Sequence, residues 1–184
     1  MIFRETALKG AFIIEPKRHE DERGFFARAW CAKEFEAHGL NPTVVQCNIS
    51  YSLKKGTLRG MHYQVFPHGE AKLIRCTMGS IHDVIIDLRP TSPTYTKHVA
   101  VVLTAHDRRM LFIPEGFAHG FQTLNDHTEV FYHMSQPYTP ASARGVRWND
   151  PTFKIQWPED ERIISVRDQQ YPDFYTIDHA SSGL

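Results

Sequence analysis

The sequence predicts an all-β fold, a sandwich or barrel with a few short helices, and three observations predict it. From Thr43 to Ser135, short apolar or alternating segments follow one another at close spacing. Gly or Pro falls in many of the gaps, at Gly56, Pro67, Gly69, Gly79, Pro90, Pro93, Pro114 and Gly116, and such punctuation marks turns between strands. Aromatic residues make up 12% of the chain, which suits half-buried pleated surfaces, whereas helix signals are scarce.

Taken in order, residues 11–15 (Ala-Phe-Ile-Ile-Glu) are a short apolar run closed by Pro16 and read as a strand. His19-Glu20-Asp21-Glu22-Arg23-Gly24 reads as a polar turn. Phe25, Phe26 and Trp30 follow within six residues. Either these rings pack in the core or at an interface, or one stacks on a nucleobase while Arg23 meets a phosphate. Residues 32–39 are the clearest helix, rich in helix formers and closed by Gly39. Strands are expected over 44–50, 57–64, 72–78, 81–88, 99–103, 109–113, 118–124 and 130–135, with a polar loop over 52–56. Past Tyr138 the pattern changes to loops, a short extended piece at 155–158, and a small terminal helix within 163–168 that Ser165 is placed to cap. Residues 175–184 are weakly patterned and expected to fray.

At 184 residues the chain is expected to form one domain over 1–184. Its 21 basic residues balance 21 acidic ones, so no global field favours nucleic acid or an anionic membrane, although local clusters remain free to bind phosphate. The N-terminus lacks the charged-then-apolar pattern of a signal peptide, and no window approaches the roughly 20 apolar residues that span a bilayer. Cys31, Cys47 and Cys76 form no CxxC pair and no even framework. That points to free thiols in a reducing compartment, each in a small, buried apolar role. The expected location is cytoplasmic.

The chemistry concentrates on Leu58-Arg59-Gly60-Met61-His62-Tyr63-Gln64, where one strand carries a cation, an imidazole and a phenol. The next strand carries Lys72, and residues 113–121 place His119 across a pocket. Taken alone, either histidine reads first as a hydrogen-bonded core or surface residue. The neighbours shift that reading. Lys72, between Ala71 and Leu73-Ile74, is not buried cheaply without an anionic partner. A histidine, a lysine and a tyrosine (Tyr132) converging on a sugar-sized cavity suit proton transfer beside a carbonyl: imidazole as base, ammonium on the enolate, phenol as acid.

A metal reading competes. Pro114-x-Gly116-x-x-His119 is similar to the second half of the cupin signature, found in jelly-roll barrels. The first half normally supplies two histidines as HxH and a later glutamate. Here Gln64 stands where the second histidine belongs, leaving His62, Glu70 and His119 as a thin ligand set.

The chain resembles the dTDP-4-dehydrorhamnose 3,5-epimerase family over roughly residues 1–174. The resemblance rests on Asp21-Glu22-Arg23-Gly24-Phe25-Phe26, Gln46-Cys47-Asn48-Ile49-Ser50, residues 58–64, Lys72-Leu73, residues 83–89, Ser92-Pro93-Thr94-Tyr95, residues 113–121 and Trp148-Asn149-Asp150-Pro151. It implies a cupin-like jelly-roll barrel and an epimerase that needs neither cofactor nor metal. His62 matches the family's base, Asp168 the carboxylate that orients it, Tyr132 the general acid and Lys72 the enolate-stabilising cation. Arg23, Arg59 and His119 match substrate or diphosphate contacts. Gln46 and Asn48 match a substrate-binding segment, and Tyr138 matches an aromatic near the base. The implied ligand is a nucleotide-diphosphate sugar, and the implied assembly is a homodimer in which the Arg23–Phe26 segment of one subunit enters its neighbour's site. Three positions depart from the family's pattern: Arg28 where a glutamate is common, Ala143 for a second glutamate, and Arg167 for a lysine. Arg28, Phe26 and Arg167 are therefore expected to contact substrate, and the departures point to a changed carrier or sugar within the same reaction. Two other readings use the same scaffold: a ketoisomerase moving the keto group from C4 to C3, and a cupin that only binds sugar. Tyr132 argues against the first, and the full His62–Lys72–Tyr132–Asp168 set argues against the second.

Overall fold

The computed structural model describes residues 1–174; the weakly patterned segment 175–184 lies outside the described residues. Strands are numbered in chain order. One antiparallel sheet runs β1 (Ile2–Glu5), β2 (Phe12–Glu15), β10 (Met110–Ile113), β7 (Lys72–Met78), β12 (Thr128–Met134), β5 (Gln46–Ser52). The other runs β13 (Ala143–Gly145), β6 (Thr57–Gln64), β11 (Phe117–Thr123), β8 (Ser80–Asp87), β9 (His98–Thr104), with β14 (Ile163–Ile164) pairing parallel to β6. The two sheets face each other as a jelly roll. A separate hairpin, β3 (Arg18–Asp21) and β4 (Gly24–Ala27), completes the strands.

Period-two alternation decides what faces inward. On the first sheet, Ile74, Cys76, Leu111, Ile113 and Val130 meet Ile81, Ile85, Leu103, Phe117 and Phe121 of the second in the central core. The alternate residues face out and are covered. Leu73, Met110 and Phe112 pack under Phe35 and Leu40, from helix α1 (Ala32–Ala37) and the turn after it. Leu58, Met61, Tyr63, Val84 and Ile86 pack under Val146, Phe153, Trp157 and Phe174 of the C-terminal segment. The same parity turns Lys72, Tyr132, Gln46 and Asn48 inward, beyond the apolar half of the core.

Helix α1 ends as expected around Gly39, whose φ is +69°. The Gly39 N–H donates to the Glu36 carbonyl at 2.9 Å and the Leu40 N–H to the Phe35 carbonyl at 3.0 Å, a Schellman closure with Leu40 and Phe35 packed together. Other expectations need correction. The polar turn at 19–24 is the tip of the β3–β4 hairpin, and Phe25 and Phe26 are not core: Phe26 is 75% exposed. Val44 and Val45 precede β5, and Ser52 belongs to it rather than to the loop. Ile163 and Ile164 form β14, so helix α2 (Val166–Gln169) starts later, capped by Ser165, whose Oγ accepts from the Asp168 N–H at 3.1 Å. Of the three free thiols only Cys76 is buried; Cys31 is half-buried and Cys47 exposed.

Strands β6 and β11 approach unusually closely at two glycines. A Cβ on Gly60 (φ +125°) would lie 2.5 Å from the Gly120 Cα and 2.8 Å from the His119 carbonyl oxygen; one on Gly120 would lie 2.8 Å from the Arg59 carbonyl oxygen. At Gly120 the Met61 Sδ would also lie 2.7 Å away and could swing aside, but the backbone atoms at both positions could not. We expect Gly60→Ala and Gly120→Ala each to lower unfolding free energy by roughly 1–3 kcal/mol, read as a drop in urea midpoint. An unchanged midpoint would show that the strands can separate at no cost.

Candidate active site

Beyond the apolar core the two sheets enclose a cavity of about 670 Å³, large enough for a sugar and more. Ten of the residues singled out from the sequence line it: Gln46, Asn48, Arg59, His62, Lys72, His119, Tyr132, Tyr138, Arg167 and Asp168. The second sheet supplies His62, Arg59 and His119. The first supplies Lys72, Tyr132, Gln46 and Asn48. An imidazole on one wall thus faces a phenol and an ammonium on the other.

His62 is opposite His119 in the β6–β11 register and opposite Gly145 in the β6–β13 register. Its Nε2 lies 2.8 Å from Asp168 Oδ1, and Asp168 Oδ2 accepts the Gly60 N–H at 3.1 Å. An ionised carboxylate only accepts, so the proton of neutral His62 sits on Nε2 and the Nδ1 lone pair is free. Asp168 is buried, and burial alone would raise its pKa. The hydrogen bond and charge of His62, together with the Gly60 and Ser165 bonds, outweigh this and hold the carboxyl below its usual range.

Lys72 and His119 each face a buried carboxylate in the same way. Lys72 Nζ lies 2.7 Å from Glu70 Oε1, both side chains nearly fully buried. His119 Nε2 lies 2.6 Å from Oδ1 of fully buried Asp83. Neither carboxylate was assigned from the sequence as a counter-charge, though the signals exist: Glu70 is two residues from Lys72, on the same side of the chain, and Asp83 interrupts an apolar run. Burial pushes the Tyr132 phenol above its ordinary value, so it stays protonated across neutral pH. Arg59 is held by the Tyr51 carbonyl at 3.1 Å and Ser52 Oγ at 3.3 Å. Arg144, also missed, lines the cavity beside Ala143.

The mouth is ordered by amide side chains. Gln46 Oε1 accepts the Tyr138 N–H at 2.9 Å, and Gln46 Nε2 donates to Asn48 at 3.0 Å. Gln64 donates to the carbonyls of His68 and Pro137 and accepts the Thr139 N–H at 2.6 Å. Arg167 reaches the Tyr138 hydroxyl at 3.5 Å. Among the described residues no three His, Cys, Asp or Glu side chains converge as metal ligands; His62, Glu70 and His119 point to Asp168, Lys72 and Asp83 instead.

Arg23, Phe26 and Arg28 are not brought to this cavity. Arg23 is at the hairpin tip, paired with Asp21 at 2.6 Å, and Arg28 pairs with Glu34 at 2.6 Å. No helix among the described residues is long and apolar enough to cross a membrane.

Comparison with known proteins gives one answer. A family described as dTDP-4-dehydrorhamnose 3,5-epimerase matches residues 5–176. The protein of that name from Shigella flexneri is 42% identical over 95% of this chain and 97% of its own. A Bacillus anthracis dTDP-4-dehydrorhamnose 3,5-epimerase, solved with TDP and PPi bound, superposes with a TM-score of 0.90 at 41% identity, covering 94% of this chain and 98% of that one. A Legionella pneumophila dTDP-6-deoxy-D-glucose-3,5-epimerase in complex with dTDP-4-keto-L-rhamnose also gives 0.90, at 36% identity, covering 96% and 94%. With its site geometry and these likenesses in agreement, the chain belongs to the dTDP-4-dehydrorhamnose 3,5-epimerase family.

Proposed function

We propose that the protein epimerises a nucleotide-linked 4-keto-6-deoxyhexose at C3, C5 or both, by enolate formation and reprotonation. The observation that carries this is the opposition of His62 and Tyr132 across one cavity, with Lys72 beside Tyr132 on the same sheet. A ketone at C4 acidifies the hydrogens on C3 and C5. His62 Nδ1 takes one of them, and Asp168 stabilises the imidazolium that results. Negative charge moves to the ketone oxygen, where the Lys72 ammonium meets it in a site largely removed from water. Tyr132 then returns a proton from the opposite face, inverting the centre, and no electrons leave the sugar. Arg59, Arg167 and His119 serve the diphosphate and sugar, and Gln46 and Asn48 fix the sugar's pose. Nucleotide ligands in the Bacillus anthracis and Legionella pneumophila relatives support the substrate class.

The pure-binding reading would leave His62 Nδ1 and the protonated Tyr132 idle. The ketoisomerase reading is disfavoured by the tyrosine acid at Tyr132, which inversion at a carbon next to the ketone requires on the wall opposite the base.

We further propose a homodimer. Strand β5 is an edge strand whose amphipathicity is inverted: Gln46, Asn48 and Ser50 face in, while Ile49 and Tyr51 face out at 65% and 45% exposure. An apolar edge of this kind needs cover. The hairpin, with Arg23 in its turn and Phe26 exposed on β4, would reach the second subunit's cavity; Arg28 sits at its base.

In D₂O with a dTDP-linked 4-keto-6-deoxy sugar, His62→Ala should abolish solvent-deuterium incorporation at C3 and C5 while melting as the parent does. Tyr132→Phe should still exchange hydrogen but lose at least ~100-fold in inverted product. Undiminished exchange in His62→Ala removes it as the base. The depressed pKa of Asp168 fixes a pH dependence. Its stabilising contribution is complete above the ordinary Asp value of about 3.9 and is lost as pH falls through the lower folded value. Urea stability should therefore decline more steeply below about pH 4 in the parent than in Asp168→Asn; equal slopes would unlink Asp168. For the assembly, light scattering should give twice the chain mass, and Ile49→Glu should give the mass of one chain. A monomeric parent would overturn the dimer.

A further inference from the structure

Asp168 fixes His62 through one nitrogen, which leaves the ring free to tilt about that hydrogen bond. The residues around the ring show a second restraint. Tyr171, just past α2, sets its ring edge-on to the His62 imidazole, with centroids 5.9 Å apart and planes at 70°. The ring is itself pressed against Gly145: a Cβ there would lie 2.4 Å from Tyr171 Cε2 and Cζ and 2.7 Å from Cδ2. Gly145 is the β13 residue paired with His62. Tyr171 therefore fills the space above the backbone of His62's own cross-strand neighbour, a space open only because that neighbour is glycine. The Arg167 guanidinium also lies 5.9 Å from the ring centroid. Burial pushes the phenol above its ordinary value, against the lowering pull of the neighbouring Arg167 guanidinium. The contact with His62 is made edge-on by the ring.

We infer that Tyr171 is a positioning residue for His62: it holds the imidazole plane from the side while Asp168 holds it in the plane. Both restraints come from one short segment, in which Ser165 caps α2, Asp168 follows three residues later and Tyr171 three after that. The segment works as a two-point clip on the base. This rests on His62 being the base, but the orientation of its ring can be measured without any substrate.

The test compares Tyr171→Ala, Tyr171→Phe and Gly145→Ala, the last pushing the ring away from the opposite side. Long-range ¹H–¹⁵N spectra of the histidine rings in the substrate-free protein report the His62 tautomer. The parent should show a single tautomer protonated on Nε2. Tyr171→Ala and Gly145→Ala should both show a shifted or exchange-broadened His62 signal, and Tyr171→Phe should retain the parent signal. In the exchange assay, the two disruptive variants should lose roughly 10- to 100-fold in kcat, and Tyr171→Phe should recover that loss. If either disruptive variant melts too low to study, the other carries the test. A parent-like His62 spectrum and kcat in the folded variant would overturn the inference. If His62 shifts as expected but even the parent exchanges no 4-keto sugar, the proposed function fails and the positioning role stands.

Discussion

A carboxylate taken out of water must have its charge met, and at Asp168 this requirement ties the end of the chain to its middle. Its two oxygens accept from His62 and Gly60, residues on a strand more than a hundred positions earlier. The Gly60 N–H that meets the carboxylate lies where β6 turns through a positive φ that suits glycine. The turn in turn requires Gly120 opposite, since any side chain there would strike β6. Two glycines, a local irregularity in the β6–β11 register and the docking of α2 thus meet at a single buried charge.

The same logic runs through the whole cavity. Three potential cations, His62, Lys72 and His119, each face one carboxylate at 2.6–2.8 Å. Burying such pairs adds little net stability and often costs some, whereas removing one partner costs about 3–5 kcal/mol. Their presence is thus better explained by chemistry than by folding. Stability comes from the apolar clusters between the sheets and on their outer faces, which leaves the polar end of the sandwich free to be shaped for a ligand. The two halves of the proposed reaction are also kept apart. The wall that would remove a proton and the wall that would return it belong to different sheets, so their separation is set by sheet packing rather than by a loop.

Much of this was legible in the sequence because alternation is a local signal. The bounds of β6 and β7 follow directly from it, and Lys72 is placed inward by its phase with Ile74 and Cys76. The β3–β4 hairpin was not legible, because its residues are nearly all exposed and so carry no inward–outward alternation to read. Strand β1 is four residues long at a sheet edge, too short for a pattern. Ile163 and Ile164 look like the start of a helix because Ser165 follows; their strand character comes from pairing with Thr57 and Leu58, which is tertiary information. Tyr171 was invisible for the same reason. Nothing near it in sequence says that Gly145 leaves room for its ring.

Gln64 shows how the reading of a motif changes once its bonds are counted. As the residue two after a histidine, it looks like a lost metal ligand. In the fold its amide makes three hydrogen bonds, two donated and one accepted, all to the backbone of residues 68, 137 and 139. A histidine has two ring nitrogens and can make at most two. It would leave part of the 137–139 segment untied, and that segment carries Tyr138 to the cavity mouth, where Gln46 and Arg167 also hold it. Glutamine at this place therefore ties down the cavity mouth. It is the side chain whose donor and acceptor count matches the loop that closes the cavity.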